Sequence, residues 1–184
     1  MEIVNNSPKE LMDRWGFLLT ASSHIFTWTS PDELCRLAEY ASHATSICEI
    51  GSYHGKSALT MALANVNASI ACIDNFENAD CELMLRENLR NVDHARLMII
   101  RGTSERLTAW GHPCFDFCFI DAGHLVDDVT ADIANLLPLM KPGSVMAGHD
   151  WNRDMNDGVN QGVLKHFHLD RVVVHETLWA VKLP

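Results

Sequence analysis

The sequence lacks several features that would place it in other classes of protein. Basic residues are scarce, since 14 lysines and arginines stand against 24 aspartates and glutamates and the formal net charge is −10. Binding to nucleic acid or to an anionic membrane needs clustered basic residues, so we expect neither partner. No apolar run approaches the roughly 18 residues of a membrane-spanning helix. The segment Met1–Glu10 lacks the basic-then-apolar pattern of a signal peptide.

Cysteine pairs with the C-x-x-C spacing are also absent. Cys48, Cys72 and Cys118 stand inside apolar runs, where cysteine behaves as a small hydrophobic residue. We therefore expect reduced thiols in a cytoplasmic protein, not a disulfide framework or a zinc site.

Internal repeats, low-complexity tracts and linkers are missing as well. A chain of 184 residues with 47% hydrophobic and 21% charged residues is typical of one domain with one sizeable core. We predict a single domain over residues 1–184. Within it, residues 1–44 form a helical lead-in or lid, and residues 45–184 form the core of the domain.

The lead-in contains two helix signals. Leu11, Trp15, Leu18 and Leu19 fit one face of a helix, as the spacing of apolar residues on an amphipathic helix requires. The motif Ser30-Pro31-Asp32-Glu33 combines an N-cap serine, a proline suited to the first helical position and a glutamate that can close a capping box. It predicts a helix that continues to about His43.

From residue 45 onward, short apolar runs alternate with stretches of helical spacing. The predicted strands are Ser46–Ile50, Ser69–Ile73, Arg96–Ile100, Phe115–Ile120 and Ser144–Ala147. The predicted helices are His54–Ala64, Ala79–Asn91, Ser104–Trp110, Leu125–Leu139 and Asp157–Phe167. Runs that are apolar on both faces are typical of parallel strands covered by helices.

The last two apolar runs differ from the rest. Arg171–His175 and Leu178–Lys182 are separated by Glu176-Thr177 alone, which is too short for a parallel crossover and predicts a β-hairpin. The whole pattern predicts an α/β protein with a Rossmann-like, doubly wound mixed sheet of about seven strands. Five of them are parallel, the hairpin is C-terminal, and helices cover both faces.

A glycine-containing loop follows the first predicted strand: Glu49-Ile50-Gly51-Ser52-Tyr53-His54-Gly55-Lys56-Ser57. In open α/β sheets such a turn binds nucleotide-like ligands, because its N–H groups and a helix N-terminus face the ligand. The dinucleotide motif G-x-G-x-x-G is absent, and the loop is one residue too short for a phosphate-binding P-loop. A nucleoside with a positive charge suits Glu49 better. A tight turn without any ligand is the remaining alternative.

Polar residues follow the second and third predicted strands. Asp74 ends the second strand, and its two oxygens can hold both hydroxyls of a ribose; the alternative is an N-cap for the next helix. Asn75 and Phe76 are adjacent, and an apolar ring there could lie against a nucleoside base. Ser104 begins the helix after the third strand, so its hydroxyl serves either the ligand or a helix cap.

Acids and histidines follow the fourth and fifth predicted strands. Asp121 and His124 come after the fourth strand, and His149, Asp150 and Asn152 come after the fifth. Because neighbouring parallel strands end at the same rim of a sheet, we expect these side chains to surround one small space.

Together these motifs resemble one family. Glu49-x-Gly51-x-x-x-Gly55, Ile120-Asp121-x-x-His124, Lys141-Pro142-Gly143, Gly148-His149-Asp150-Trp151 and Gly158-Val159 are similar to small class I S-adenosylmethionine-dependent methyltransferases, a family related to sugar O-methyltransferases of macrolide and aminocoumarin biosynthesis. The resemblance covers roughly residues 45–167. It implies methyl transfer to an oxygen of a small polar molecule. It also implies cofactor contacts from Glu49, Gly51, Ser52, Gly55, Asp74, Asn75, Ser104 and Asp121.

The sequence departs from that family at two positions. The relatives carry a second acid two positions after the first, where this chain has Gly123, and paired acids where it has His149-Asp150. Asp121, Asp150 and His149 are the candidate ligands of a divalent cation. Mg²⁺ prefers oxygen ligands, so the histidine weakens the case for magnesium or favours a softer metal. Whether a metal is bound is left open.

His124 is the candidate general base, because an imidazole can take the proton of a hydroxyl as the methyl group moves. Asp121 and Asp150 are the other candidate catalytic residues, and a structural hydrogen bond is the alternative role for His124. We expect a small-molecule acceptor, and a second subunit of a homo-oligomer could complete the lid. Two alternative functions remain: an S-adenosylmethionine-binding protein used for binding or other chemistry, and a P-loop-like nucleotide-binding protein.

Overall fold

Strands and helices alternate along the computed structural model, which describes residues 1–152, 154 and 157–184. The strands are β1 (Ser46–Ile50), β2 (Ser69–Asp74), β3 (Leu97–Arg101), β4 (Phe115–Ile120), β5 (Met140–Gly148), β6 (Val173–His175) and β7 (Leu178–Lys182). The α-helices are α1 (Pro8–Ala21), α2 (Pro31–Ser42), α3 (Lys56–Ala64), α4 (Ala79–Asn88), α5 (Val126–Leu136) and α6 (Gly158–Leu164). None of the helices in this part of the chain is long and apolar enough to cross a bilayer.

The seven strands form one sheet in the order β3-β2-β1-β4-β5-β7-β6. β1 to β5 pair in parallel, while β7 is antiparallel to both of its neighbours. The predicted doubly wound mixed sheet with a C-terminal hairpin is confirmed. The strand order reverses between β1 and β4, and ligands of open α/β sheets bind outside the strand ends at such a point.

Both faces of the sheet are buried, as the apolar strands predicted. Side chains of successive strand residues point to opposite faces, so β4 sends Phe117 and Phe119 to one side and Cys118 and Ile120 to the other. The first pair packs with residues of α2 and α3, and the second pair packs with residues of α5 and α6. All six cysteines of the chain are free thiols.

The lead-in packs on the sheet. In α1, Leu11 and Leu18 of the predicted apolar face are buried. The predicted capping box at Ser30 and Glu33 is present at the start of α2. Helix α2 is buried along most of its length, and the ring of Tyr40 stacks on Phe117 of β4 with 5.1 Å between centroids. The segment that precedes the core is therefore fixed to it.

Several element ends differ from the predictions. The segment Ser104–Trp110 is a 3₁₀ helix, and α5 stops at Leu136 with a 3₁₀ turn over Leu137–Leu139. Pro138 accounts for the latter, since a proline has no N–H to donate an α-helical hydrogen bond. Strand β5 begins at Met140 and not at Ser144, because Lys141, Pro142 and Gly143 continue the strand despite their turn-like composition.

We expect Ser30→Ala to lower the free energy of unfolding by about 0.5–2 kcal/mol, because its side chain accepts the Glu33 N–H at the start of α2. Chemical denaturation followed by circular dichroism measures the change. Ser23→Ala, at an exposed position in the turn after α1, is the control, with an expected change within about 0.5 kcal/mol. Equal stability of the two variants would contradict the capping role.

Candidate functional site

A cavity of about 1290 Å³ opens at the carboxyl ends of the parallel strands. One small ligand occupies roughly 300–1000 Å³, so the cavity has room for a nucleoside and for a second molecule. Ten of the predicted site residues line it: Gly51, Ser52, Gly55, Asp74, Asn75, Ser104, Asp121, His124, His149 and Asp150. Glu49 lies fully buried at the end of β1, next to this lining. Asn152 does not line the cavity. Its backbone N–H and carbonyl bind the side chain of Asn160.

The two glycines of the loop after β1 are required by packing. Gly51 has a φ of +87°, and a Cβ there would lie 1.9 Å from the carbonyl oxygen of Asp121. Gly55 has a φ of +86°, and its Cβ would lie 2.6 Å from Cδ1 of Leu85 in α4. Only glycine tolerates both the positive φ and the close contact. The loop is thereby held against β4 on one side and α4 on the other.

Glu49 is a buried acid without a partner. Neither of its carboxyl oxygens has a hydrogen-bond partner among the described residues, and the same is true of the neighbouring Ser52 hydroxyl. Burial raises the pKa of Glu49 to about 7 although the nearby hydroxyls of Ser52 and Ser57 oppose the shift, and the charge of Asp121 acts in the same direction as burial. A buried polar group without a partner is costly, and a cationic ligand would satisfy this one.

Asp74 holds the backbone on both sides of the cavity. One carboxylate oxygen accepts the N–H of Tyr53 at 2.8 Å, and the other accepts the N–H of Phe76 at 2.7 Å. An ionised carboxylate has about four lone-pair sites, so each oxygen retains one for a ligand hydroxyl. The geometry therefore fits the predicted ribose contact.

Ser104 and Asn75 have partners within the protein. The hydroxyl of Ser104 donates to Asp132 at 2.6 Å and accepts from Asn135 at 3.0 Å, both on α5. Its single hydrogen is thus used, and only one lone pair is left for a ligand. The amide of Asn75 donates to Glu77 at 3.2 Å, and the residue is exposed at the edge of the cavity. Their predicted cofactor contacts stay predictions.

Asp121, His124 and Asp150 form a cluster at the ends of β4 and β5. Nε2 of His124 lies 2.8 Å from Oδ2 of Asp150. One ligand atom from each of the three residues lies within 4.8 Å of the others, which is close enough to surround a single ion. Burial raises the pKa of Asp121 to about 6, although the charge of His149 opposes the shift.

His149 is buried among carboxylates. Its Nε2 lies 3.1 Å from Glu33, and its Nδ1 lies 3.2 Å from Asp150 and 3.7 Å from Asp121. Although burial opposes the shift, hydrogen bonds with Asp150 and Glu33 raise the pKa of His149 to about 10. The three residues whose ligand atoms lie close enough to surround one ion are Asp121, His124 and Asp150. The predicted ligand role of His149 stays a prediction.

The model of a family described as a methyltransferase domain matches residues 48–151 of the chain. The match begins in β1 and ends just beyond Asp150, so it contains the loop after β1 and the three-residue cluster. The chain belongs to this methyltransferase family. The family prediction made from the sequence motifs is confirmed. No curated protein sequence matches the chain.

Solved structures share the fold of this methyltransferase at low sequence identity. An O-methyltransferase from Bacillus cereus in complex with SAH is 20% identical with a TM-score of 0.67, over 98% of this chain and 93% of that one. The O-methyltransferase TomG from Streptomyces achromogenes, in complex with SAM, is 17% identical with a TM-score of 0.65, over 99% and 92%. CalS11, a TDP-rhamnose 3′-O-methyltransferase of calicheamicin biosynthesis, is 18% identical with a TM-score of 0.64, over 98% and 96%.

The P-loop alternative receives no support. A P-loop lysine must reach a phosphate in the loop, whereas Nζ of Lys56 donates to the carbonyl of Ser22 at 2.6 Å. This contact ties the methyltransferase core to the end of the lead-in helix α1. The lysine is buried there and acts as a structural link.

Aromatic side chains of the lead-in cover one side of the cavity. Trp28 is 74% exposed and packs on Phe26 and Tyr53, with centroids 4.8 Å and 5.6 Å away. Trp28 and Tyr53 therefore form a wall of the cavity. Trp151 is buried in the core and does not line it.

Sequence reasoning missed two acids of the site. Glu33 was assigned only to the cap of α2, yet it also binds His149. Asp128 of α5 lines the cavity, and its Oδ2 lies 2.5 Å from where a Cβ at Gly123 would stand. The carboxylate of Asp128 thus fills the space next to the glycine that replaces an acid of the relatives. Neither contact has a local sequence signal.

We expect Glu49→Gln to raise the melting temperature of the ligand-free protein above pH 7. An acid whose pKa rises from 4.5 to about 7 on folding costs nothing below pH 4.5. It destabilises the fold progressively between pH 4.5 and 7, and above pH 7 the cost levels off at about 3 kcal/mol. Calorimetric melting from pH 5 to pH 8 measures the effect. Glu87→Gln, at an exposed position, is the control, and a pH-independent difference for Glu49→Gln would contradict the raised pKa.

Proposed function

We propose that this protein transfers the methyl group of S-adenosylmethionine to an oxygen atom of a small polar molecule. The observation that carries the proposal is the buried, unpartnered carboxyl of Glu49 beside a cavity with room for two ligands. A cationic nucleoside would compensate this acid, whereas a nucleoside triphosphate would be repelled by it. The neighbours crystallised with SAH and SAM have the same fold.

The residues that would hold the cofactor lie along one side of the cavity. Asp74 has a free lone pair on each oxygen for the ribose hydroxyls, and the loop from Gly51 to Gly55 lines the cavity beside it. The unpartnered hydroxyl of Ser52 is a further contact. When bound, S-adenosylmethionine supplies an activated methyl group on a positively charged sulfur. Glu49 compensates the positive charge of the cofactor.

His124 is the proposed general base. Because Nε2 faces the carboxylate of Asp150, Nε2 carries the hydrogen and Nδ1 is the atom that accepts the proton of the acceptor hydroxyl. Asp150 keeps the ring in this tautomer and stabilises the imidazolium that forms. Asp121 lies beside them at the end of β4. The protein otherwise has to align the two reactants and exclude water.

The acceptor would lie between this cluster and the aromatic wall of the lead-in. Trp28 and Tyr53 offer flat apolar surfaces, and His124 and Asp150 offer polar groups on the opposite side. A sugar ring or another small hydroxylated ring fits such a pair of walls. CalS11, with the same fold, acts on TDP-rhamnose. The expected homo-oligomer and the cytoplasmic location stay predictions.

A divalent cation on Asp121, His124 and Asp150 is a second way to activate the hydroxyl. Two carboxylates and one imidazole suit Mn²⁺, Fe²⁺ or Zn²⁺ better than Mg²⁺. A cation there would lower the pKa of a bound hydroxyl and would take the place of the His124 base. The two mechanisms differ in their response to chelators.

We expect Asp74→Ala to weaken binding of S-adenosylhomocysteine about tenfold or more, because hydrogen bonds to a charged group are lost. Isothermal titration calorimetry measures the affinity, with ATP as the competing ligand class. Asp80→Ala, an exposed acid outside the cavity, is the control. Unchanged affinity in Asp74→Ala would exclude the ribose contact. Binding of ATP without binding of S-adenosylhomocysteine would overturn the proposed function.

We expect His124→Gln to lower kcat about 10²- to 10⁴-fold and to leave the affinity for S-adenosylhomocysteine unchanged, since the base is lost but the cofactor contacts remain. Transfer of a labelled methyl group to a panel of sugars and phenols measures kcat, and His94→Gln at an exposed position is the control. The wild type is expected to keep its activity in EDTA. Loss in EDTA with recovery in Mn²⁺ would show the cation mechanism instead. Cofactor binding without transfer to any acceptor would favour the binding-only alternative.

A further inference from the structure

A line of alternating carboxylates and imidazoles runs from the start of α2 to the cavity. Glu33 binds Nε2 of His149 at 3.1 Å, and Nδ1 of His149 lies 3.2 Å from Oδ1 of Asp150. The other oxygen of Asp150, Oδ2, lies 2.8 Å from Nε2 of His124. Each of the two middle residues thus contacts both of its neighbours through different atoms.

The line is fixed at its buried end. Glu33 is 2% exposed and His149 is 7% exposed, whereas the His124 side chain at the other end is 64% exposed. One oxygen of Glu33 accepts the N–H and the hydroxyl of Thr177 at 2.9 and 2.7 Å, and the other accepts the N–H of Ser30 at 2.9 Å. The Glu33 carboxylate is therefore held by the start of α2 and by the β6–β7 turn, in addition to its contact with the imidazole of His149.

At the exposed end, few other contacts with the described residues hold the line in place. Asp150 has a positive φ of +61°, a conformation that is uncommon for a residue with a side chain, at the point where the chain leaves β5. Its carboxylate is fixed because His149 binds one oxygen and leaves the other facing His124. An exposed imidazole without such a contact would populate several rotamers, and a productive geometry would cost it conformational entropy.

We infer that Glu33 is a positioning residue for methyl transfer: through His149 it fixes the Asp150 carboxylate, and thereby the ring of His124. The inference rests on the proposed function, because it takes His124 as the base. Glu33 itself touches neither the cavity nor a reactant, since it is absent from the cavity lining. From the start of α2, Glu33 acts on His124 through two intervening side chains, those of His149 and Asp150.

The first test is a spectroscopic one that needs no acceptor. Long-range ¹H–¹⁵N spectra of histidine-labelled protein report how each ring nitrogen is bonded, and His124→Gln assigns the signal of His124. We expect Glu33→Gln to shift the His124 signal toward its position in Asp150→Asn, where the direct partner is changed. In the double variant Glu33→Gln/Asp150→Asn, the signal is expected to equal that of Asp150→Asn alone.

Ser30→Ala is the matched control. It removes the side-chain cap of the same helix end and the hydroxyl contact with Glu176 of the β6–β7 turn, but keeps the backbone N–H that Glu33 accepts and leaves the contact between Glu33 and His149 in place. We expect it to lower the melting temperature without moving the His124 signal. A shift of the same size in Ser30→Ala would show that loosening of α2 is sufficient, and would overturn the positioning role.

Thr177→Val is a milder variant for the case in which Glu33→Gln does not fold. It removes the hydroxyl that binds both Glu33 and Nε2 of His149, and a smaller shift of the His124 signal in the same direction is expected. A His124 signal that stays at its wild-type position, in a variant whose His149 signal has moved, would overturn the inference.

The kinetic test separates this inference from the proposed function. With an acceptor from the sugar and phenol panel, Glu33→Gln is expected to lower kcat about 10- to 100-fold, the usual effect of losing a supporting hydrogen bond. KM for S-adenosylmethionine is expected to stay unchanged. Unchanged kcat would overturn the positioning role while leaving the proposed function intact. Failure of the wild type to bind S-adenosylhomocysteine would instead overturn the proposed function.

Discussion

The contact between the backbone of Gly51 and the carbonyl of Asp121 sets the spacing between the two halves of the site. β1 and β4 are neighbours in the sheet. Just beyond the end of β4, the N–H of Asp121 donates to the carbonyl of Ile50, the last residue of β1, at 2.8 Å. Any side chain at position 51 would force the strand ends apart. The loop after β1 and the acid cluster after β4 are therefore held at a fixed distance. In a reaction that depends on alignment, this rigidity positions the two reactants that we propose.

The pKa values of two buried glutamates, Glu33 and Glu49, are shifted in opposite directions. For Glu33, burial is outweighed by hydrogen bonds from His149, Thr177 and Ser30, which lower its pKa to about 2. Glu49 has no such partners, and burial raises its pKa to about 7. The first acid is bonded within the protein, whereas the second is the one for which we propose a ligand. Opposite pKa shifts of this kind are a physical criterion for separating structural acids from candidate binding acids.

The sequence predicts the fold well because the strands are short, apolar on both faces and separated by helices. It fails at β5, where Lys141-Pro142-Gly143 has the composition of a turn but lies within the strand, at an irregularity in its register with β4. At the site, the glycine loop and the acids at strand ends are local signals and were predicted. The second role of Glu33 was not, because its partners His149 and Thr177 are 116 and 144 positions away in the chain. Capping rules describe one turn of helix and contain no information about such distances.

Strand β7 lies between β5 and β6 in the sheet, although it follows both in the chain. During synthesis on the ribosome, the turn that carries Thr177 emerges long after α2. Until then Glu33 has no donor from this turn, and the antiparallel edge of β5 is open to water. The charge cluster around His149 is therefore incomplete until this turn is made, and a nascent chain that stalls before residue 177 would hold the five parallel strands with an unfinished site.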